Sequence, residues 1–116
     1  MSDTDQKELW VDICKSEDVL PNMGRCALFD NEQVAIFRVI ELGVEKLYAI
    51  NNHCPFSQAN IISRGIVGCL SNKTVVASPL YKQHFDLATG QCIEDEAMSV
   101  KTYAVRFEDG MIQLAA

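Results

Sequence analysis

The sequence predicts an all-β fold: stacked antiparallel sheets, sandwich-like or barrel-like, with one short helical turn and one long loop. Three observations point there. β-branched and aromatic residues gather in short runs at close spacing, at 34–39, 47–50, 75–76 and 100–107, and such runs suit a pleated, half-buried surface. Turn residues separate them, at Asp30-Asn31, Glu41-Leu42-Gly43 and Asp109-Gly110; the last is a strong two-residue hairpin signal. Residues 100–107 also alternate. Lys101, Tyr103, Val105 and Phe107 fall on one side, Val100, Thr102, Ala104 and Arg106 on the other, which is the period of a strand.

Taken in order, residues 1–8 (MSDTDQKE) read as a charged, flexible leader, and residues 9–116 as a single domain. Residues 9–13, with Trp10 and Val11, read as a first strand. Residues 16–20 read as one helical turn: Ser16 is the N-cap, and Glu17 and Asp18 sit where the helix dipole favours acids. Pro21-Asn22-Met23-Gly24 turns the chain into a hairpin made of 26–29 and 34–39, and 47–50 is the next strand. Residues 51–73 hold Cys54-Pro55, Arg64-Gly65 and Ser71-Asn72-Lys73 with little periodicity, so they read as a long loop carrying one short strand at 66–70. Loops of that length in small domains are usually functional. Met111 begins the return strand of the last hairpin, which runs to Leu114.

A chain of 116 residues is one domain with room for a real core. Its net charge of −6 argues against a nucleic-acid partner, which needs a Lys/Arg surface. The polar, acidic start lacks the apolar stretch of a secretory signal. No apolar run approaches the roughly 18–20 residues of a membrane span. The expected compartment is therefore the cytoplasm, with no membrane partner. There the five cysteines, Cys14, Cys26, Cys54, Cys69 and Cys92, are expected as free, mostly buried thiols.

The chain is organised around residues 74–91, TVVASPLYKQHFDLATGQ. Val75 and Val76 suit a strand; Pro79 cannot donate to a ladder, so pairing stops there. Phe85 and Leu87 then share one face and His84 and Asp86 the other, as in a half-buried strand, before Ala88-Thr89-Gly90 turns the chain. This stretch resembles the second ligand loop of the Rieske iron–sulfur family, whose pattern is C-P-x-H followed by an aromatic, Asp and a T-G turn. Ser78-Pro79-Leu80-Tyr81 fills the C-P-x-H slot, Phe85-Asp86 supplies the aromatic and the acid, and Thr89-Gly90 supplies the turn. Upstream, Cys54-Pro55-Phe56 stands where the family has its first loop, C-P-H.

The resemblance implies four former cluster positions: Cys54, Phe56, Ser78 and Tyr81. A Rieske centre takes two thiolates and two imidazoles. Phe56 has no donor atom, Ser78 is an alcohol, and a phenol such as Tyr81, with pKa near ~10, is a poor substitute for imidazole. One good ligand does not hold two irons, so no cluster is expected. A zinc site from His53, Cys54 and His84 with Cys69 or Cys92 lacks any recognised ligand spacing. A Cys54–His84 nucleophile pair lacks an orienting third group. No catalytic, cofactor or metal residue is expected in this chain. Phe56 and Tyr81 put rings where metal and imidazoles stood, either as a structural plug or, with Lys82 and Gln83, as a partner surface.

A closer resemblance comes from Trp10-Val11-Asp12-Ile13-Cys14, Glu32-Gln33-Val34-Ala35-Ile36-Phe37-Arg38, Ser63-Arg64-Gly65, Val76-Ala77-Ser78-Pro79-Leu80, and Glu94-Asp95-Glu96 leading to Ser99-Val100-Lys101. These segments are similar to the small-subunit family of bacterial NADH-dependent assimilatory nitrite reductases. That resemblance implies a partner, the large subunit, which carries FAD, sirohaem and an iron–sulfur cluster and reduces nitrite to ammonia. It implies a supporting role without redox chemistry for this chain. Two other classes compete: a Rieske-type ferredoxin feeding an oxygenase, and a free-standing Rieske-like binding module.

Overall fold

The computed structural model describes residues 9–80 and 82–115. The leader at 1–8 and Tyr81 lie outside the described residues. Among the described residues, all regular structure beyond two single 3₁₀ turns is strand, in antiparallel sheets. The first sheet joins the two ends of the domain. β1 (Val11–Lys15) pairs with β11 (Met111–Ala115), which pairs in turn with β10 (Ala104–Glu108). The second sheet is β2 (Met23–Phe29), β3 (Glu32–Glu41) and β4 (Val44–Asn51), in that order. A two-stranded ladder of β5 (His53–Cys54) and β6 (Ala59–Asn60) follows. The last sheet is β7 (Ile66–Leu70), β8 (Lys73–Ala77) and β9 (His84–Asp86).

Four hairpins close through two residues with positive φ: Asp30-Asn31, Leu42-Gly43, Ser71-Asn72 and Asp109-Gly110. Such primed turns match the right-handed twist of the strands they join, and Asn, Asp and Gly tolerate the left-handed region. β3 is the hinge of the packing because its side chains alternate between two cores. Ala35, Phe37 and Val39 join Ile50, Ile62, Val76, Phe85 and Leu87. Val34 and Ile36 join Val19, Ala49, Tyr103, Ile112 and Leu114. Burial on both faces explains the unbroken apolar run of 34–37.

Several sequence expectations are corrected. The first strand begins at Val11, leaving Leu9 and Trp10 outside it, and runs to Lys15. The helical turn is a 3₁₀ turn at Ser16–Asp18, and its N-cap position is Lys15, not Ser16. The long 51–73 region is cut by the β5–β6 ladder and by a second 3₁₀ turn at Ile62–Arg64, so there are two short turns rather than one. The 100–107 strand is split. Val100 donates its N–H to Gly90 O at 2.8 Å and Tyr103 to Ala49 O at 2.9 Å. Facing different partners, residues 100–103 bury both Val100 and Tyr103, and the regular ladder starts only at Ala104. Asp86 is buried beside Phe85 instead of facing solvent, because its Oδ1 accepts the Ala88 N–H at 2.8 Å and turns the chain. Of the five free thiols only Cys54 and Cys92 are buried; Cys14 is half-buried, and Cys26 and Cys69 are exposed.

Candidate functional site

Two loops meet at one end of the β8–β9 sheet. The first, residues 55–58, bridges β5 and β6 and is closed by the Gln58 N–H donating to Cys54 O at 2.8 Å. The second, residues 78–83, bridges β8 and β9. Ser78 donates its N–H to Gln83 O at 2.8 Å, and Lys82 donates to Ser78 O at 3.0 Å. The second loop needs Lys82 at φ 65°, in the left-handed region. Pro79 ends the β8 ladder, as its missing N–H requires.

Cys54 and Ser78 lie in the seam between the loops. Their Sγ and Oγ atoms are 3.7 Å apart, and both residues are buried. Burial penalises a Cys54 thiolate. Hydrogen-bonding groups on Ser57 and Ser78 and the amides of Ser57 and Phe56 outweigh that penalty and hold the thiol below its usual range. Among the described residues, the buried Ser57 hydroxyl and Gln83 Oε1 have no hydrogen-bond partner of ordinary geometry. Phe56 is half-buried against the core, and its ring partner is Phe85, with centroids 6.1 Å apart and planes tilted by 47°. The expected contact between Phe56 and Tyr81 falls on a residue outside the described set.

The histidines are not brought to Cys54. His53 is exposed, with Nδ1 3.2 Å from Asn60 Oδ1. His84 is half-buried, and its ring faces Glu94, Nδ1 to Oε2 2.5 Å. Cys92 points to the same carboxylate, its Sγ 3.7 Å from Oε1, and burial pushes its thiol up. Cys69 is exposed on β7. Among the described residues no three His, Cys, Asp or Glu side chains converge as metal ligands. Among the described residues the two loops offer one thiol, one alcohol and one hydrocarbon ring at the former ligand positions, a set that does not fit a [2Fe–2S] cluster.

The surface over the loops is mixed. Pro79, Leu80 and Lys82 are exposed and Gln83 is half-buried, and the exposed Glu94 meets the loop's exit at His84. Asn52, which the sequence did not single out, holds the base of the first loop. Buried at 1% exposure, it accepts the Ser63 N–H on Oδ1 at 2.6 Å and donates from Nδ2 to Gln33 Oε1 at 3.1 Å. Only its place ahead of Cys54 hints at this.

The profile of the Rieske-like [2Fe–2S] domain family matches residues 9–115. The chain is 48% identical over 105 residues to the nitrite reductase (NADH) small subunit of Escherichia coli K12, covering 90% of this chain and 95% of that one. The solution structure of the E. coli protein NirD superposes with a TM-score of 0.84 at 46% identity, over 94% of this chain and 97% of that one. A segment of the nitrite reductase [NAD(P)H] large subunit of Klebsiella oxytoca is 32% identical over 103 residues, which is 89% of this chain and 10% of that protein.

Proposed function

We infer the role of this chain from the family to which it belongs: it is a member of the Rieske-like [2Fe–2S] domain family and, within it, of the nitrite reductase (NADH) small subunits. It works as a cytoplasmic subunit that supports a large subunit in reducing nitrite to ammonia with electrons from NADH. The redox groups, FAD, sirohaem and an iron–sulfur cluster, belong to the large subunit, and this chain carries no redox centre, metal or catalytic residue.

One observation carries the assignment: identity of 48% spread over nearly the whole of both chains. The K. oxytoca relation supports the partner, because there a matching segment lies within a large subunit itself. The donor set of Cys54, Ser78 and Phe56 supports a role without electron transfer. It disfavours the Rieske-type ferredoxin, which needs two thiolates and two imidazoles. No helix among the described residues is long and apolar enough to cross a membrane, which agrees with a cytoplasmic complex. The contact surface proposed here is the one over the two loops, with Tyr81, Lys82, Gln83 and Phe56 as its centre.

The test is co-expression with the large subunit from the same organism. The two are expected to co-purify, and NADH-dependent nitrite reduction is expected to need both. Full activity of the large subunit alone, with no association, would overturn the assignment and favour a free-standing module.

A further inference from the structure

The first two sheets form most of a barrel that is closed along one seam and open along the other. On the closed side, β4 meets the segment leading into β10. Tyr103 donates its N–H to Ala49 O at 2.9 Å, Asn51 donates to Lys101 O at 2.8 Å, and Ile50 bridges Thr102. On the other side stand two sheet edges. Among the described residues β1 ladders only with β11 and β2 only with β3. Between these edges runs an open groove of about 730 Å³, lined by apolar residues such as Leu9, Val11 and Leu28, by Cys26, and by the charged Arg25 and Asp30. The Arg38 guanidinium fixes the chain that crosses from β1 to β2, donating to the carbonyls of Ser16 and Val19 at 3.1 Å each.

Open edges present unpaired N–H and C=O groups, and natural proteins usually cover or blunt them. Here the edges are lined by apolar side chains left in water: Leu9 is 75% exposed, Leu28 71% and Val11 44%. Of the charged residues lining the groove, Asp12 is engaged within the sheet, its Oδ1 accepting from Gln113 Nε2 at 2.6 Å, while Arg25 and Asp30 are exposed. An extended segment that alternates apolar and polar side chains complements the edges, the exposed apolar residues and the charged Arg25 and Asp30. Its backbone pairs with the free edges, and its alternate side chains fill the groove.

The domain's ends indicate whose segment it is. Val11 faces Leu114 in the β1–β11 ladder, so the chain enters and leaves the fold side by side, on the sheet that borders the groove. In the K. oxytoca large subunit the matching segment is 10% of the protein. Polypeptide flanking that segment therefore leaves its domain at these adjacent points, at the border of the groove.

We propose that the open seam between β1 and β2 receives an extended, amphipathic segment of the nitrite reductase large subunit, added as a strand. The proposal rests on the subunit assignment above, and this contact is additional to the surface over the two loops.

Two exposed thiols test it within one chain. Cys26 lines the groove, whereas Cys69 lies on β7 in another sheet. Iodoacetamide labelling, followed by mass spectrometry, is compared in the free chain and in the isolated two-subunit complex. Labelling of Cys26 should slow about tenfold or more in the complex, while Cys69 keeps its free rate. Leu28→Glu should melt as the parent does, because Leu28 is exposed, yet bind the large subunit about tenfold or more weakly, as expected for a contact anchor. Equal labelling of Cys26 in free and bound chain overturns the proposal, as does normal binding by Leu28→Glu. Protection of Cys26 in the free chain also overturns it: with dimer formation it gives the seam to a second copy, and with relief on deleting residues 1–8 it gives the seam to the chain's own start. Failure of the unaltered chain to form any complex defeats the subunit assignment itself, and is recognised by the absence of an isolable complex.

Discussion

The carboxylate of Glu94 holds His84 at two points: the His84 N–H donates to Oε1 at 2.8 Å, and ring Nδ1 lies 2.5 Å from Oε2. A backbone bond adds a third tie, from the Ile93 N–H to His84 O at 2.8 Å. His84 opens β9 directly after the second loop, so the acidic segment anchors that loop's exit. The loop's conformation is therefore tied to residues ten positions further along the chain.

This anchor makes stability depend on acid. Burial penalises the Glu94 charge, but hydrogen bonds from the His84 amide and ring outweigh it and hold the carboxyl below its usual value of 4.5. A depressed carboxylate contributes stability that is present above the unfolded-state value and is lost as pH falls through the folded one. Glu94→Gln should lower the melting temperature at neutral pH, and the gap to the parent should narrow as the pH drops below 4.5. Thermal melts across this range check it. A gap that stays constant down to about pH 3, well below the carboxylate range, would show that Glu94 does not act through its charge.

The donor set at Cys54, Ser78 and Phe56 predicts a colourless, iron-free protein, even after expression with ample iron and cluster-assembly machinery. Visible spectra and metal analysis check this, and stoichiometric iron with Rieske-type absorption would refute it. Folding is likewise expected to be independent of metal, since a structural metal would add its binding energy to stability. A fall of many degrees in EDTA would revive a metal site.

Phe56 and Lys82 should separate structure from contact at the loop surface. Phe56 packs on Phe85 and the core while half-buried. Phe56→Ala should cost about 2 kcal/mol, below the range for a fully buried ring. Lys82 is exposed, so Lys82→Ala should stay within about 0.5 kcal/mol in stability. If the loop surface is the contact, Lys82→Ala weakens association with the large subunit; unchanged association and nitrite reduction for both Lys82→Ala and Tyr81→Ala would move the contact elsewhere.

The elements legible in the sequence were those specified by neighbours in the chain. Alternation and turn dipeptides marked the hairpins at Asp30-Asn31, Leu42-Gly43 and Asp109-Gly110, and Pro79 marked the end of β8. Those signals are local because φ preference and the missing proline N–H act within a residue or two. The Rieske-like frame was legible for the same reason, since the Ser78-Pro79 and Thr89-Gly90 turns keep their spacing whatever the ligands have become.

What the tertiary structure alone decided are relations between residues distant in sequence. Alternation put Asp86 on the face opposite Phe85, yet it is buried, because its carboxylate and carbonyl take the Ala88 and Gly90 N–H groups as the chain turns. Residues 100–103 looked like ladder, yet they divide their bonds between Gly90 and Ala49, because two sheets converge there. Cys54 and Ser78, 24 residues apart, meet at 3.7 Å only once β5 and β8 are in place. The open seam between β1 and β2 has no sequence signal, because nothing in a strand's own residues says whether its far edge finds a partner. That is settled by how six strands close around a core: tightly at β4 and β10, and with an opening at β1 and β2.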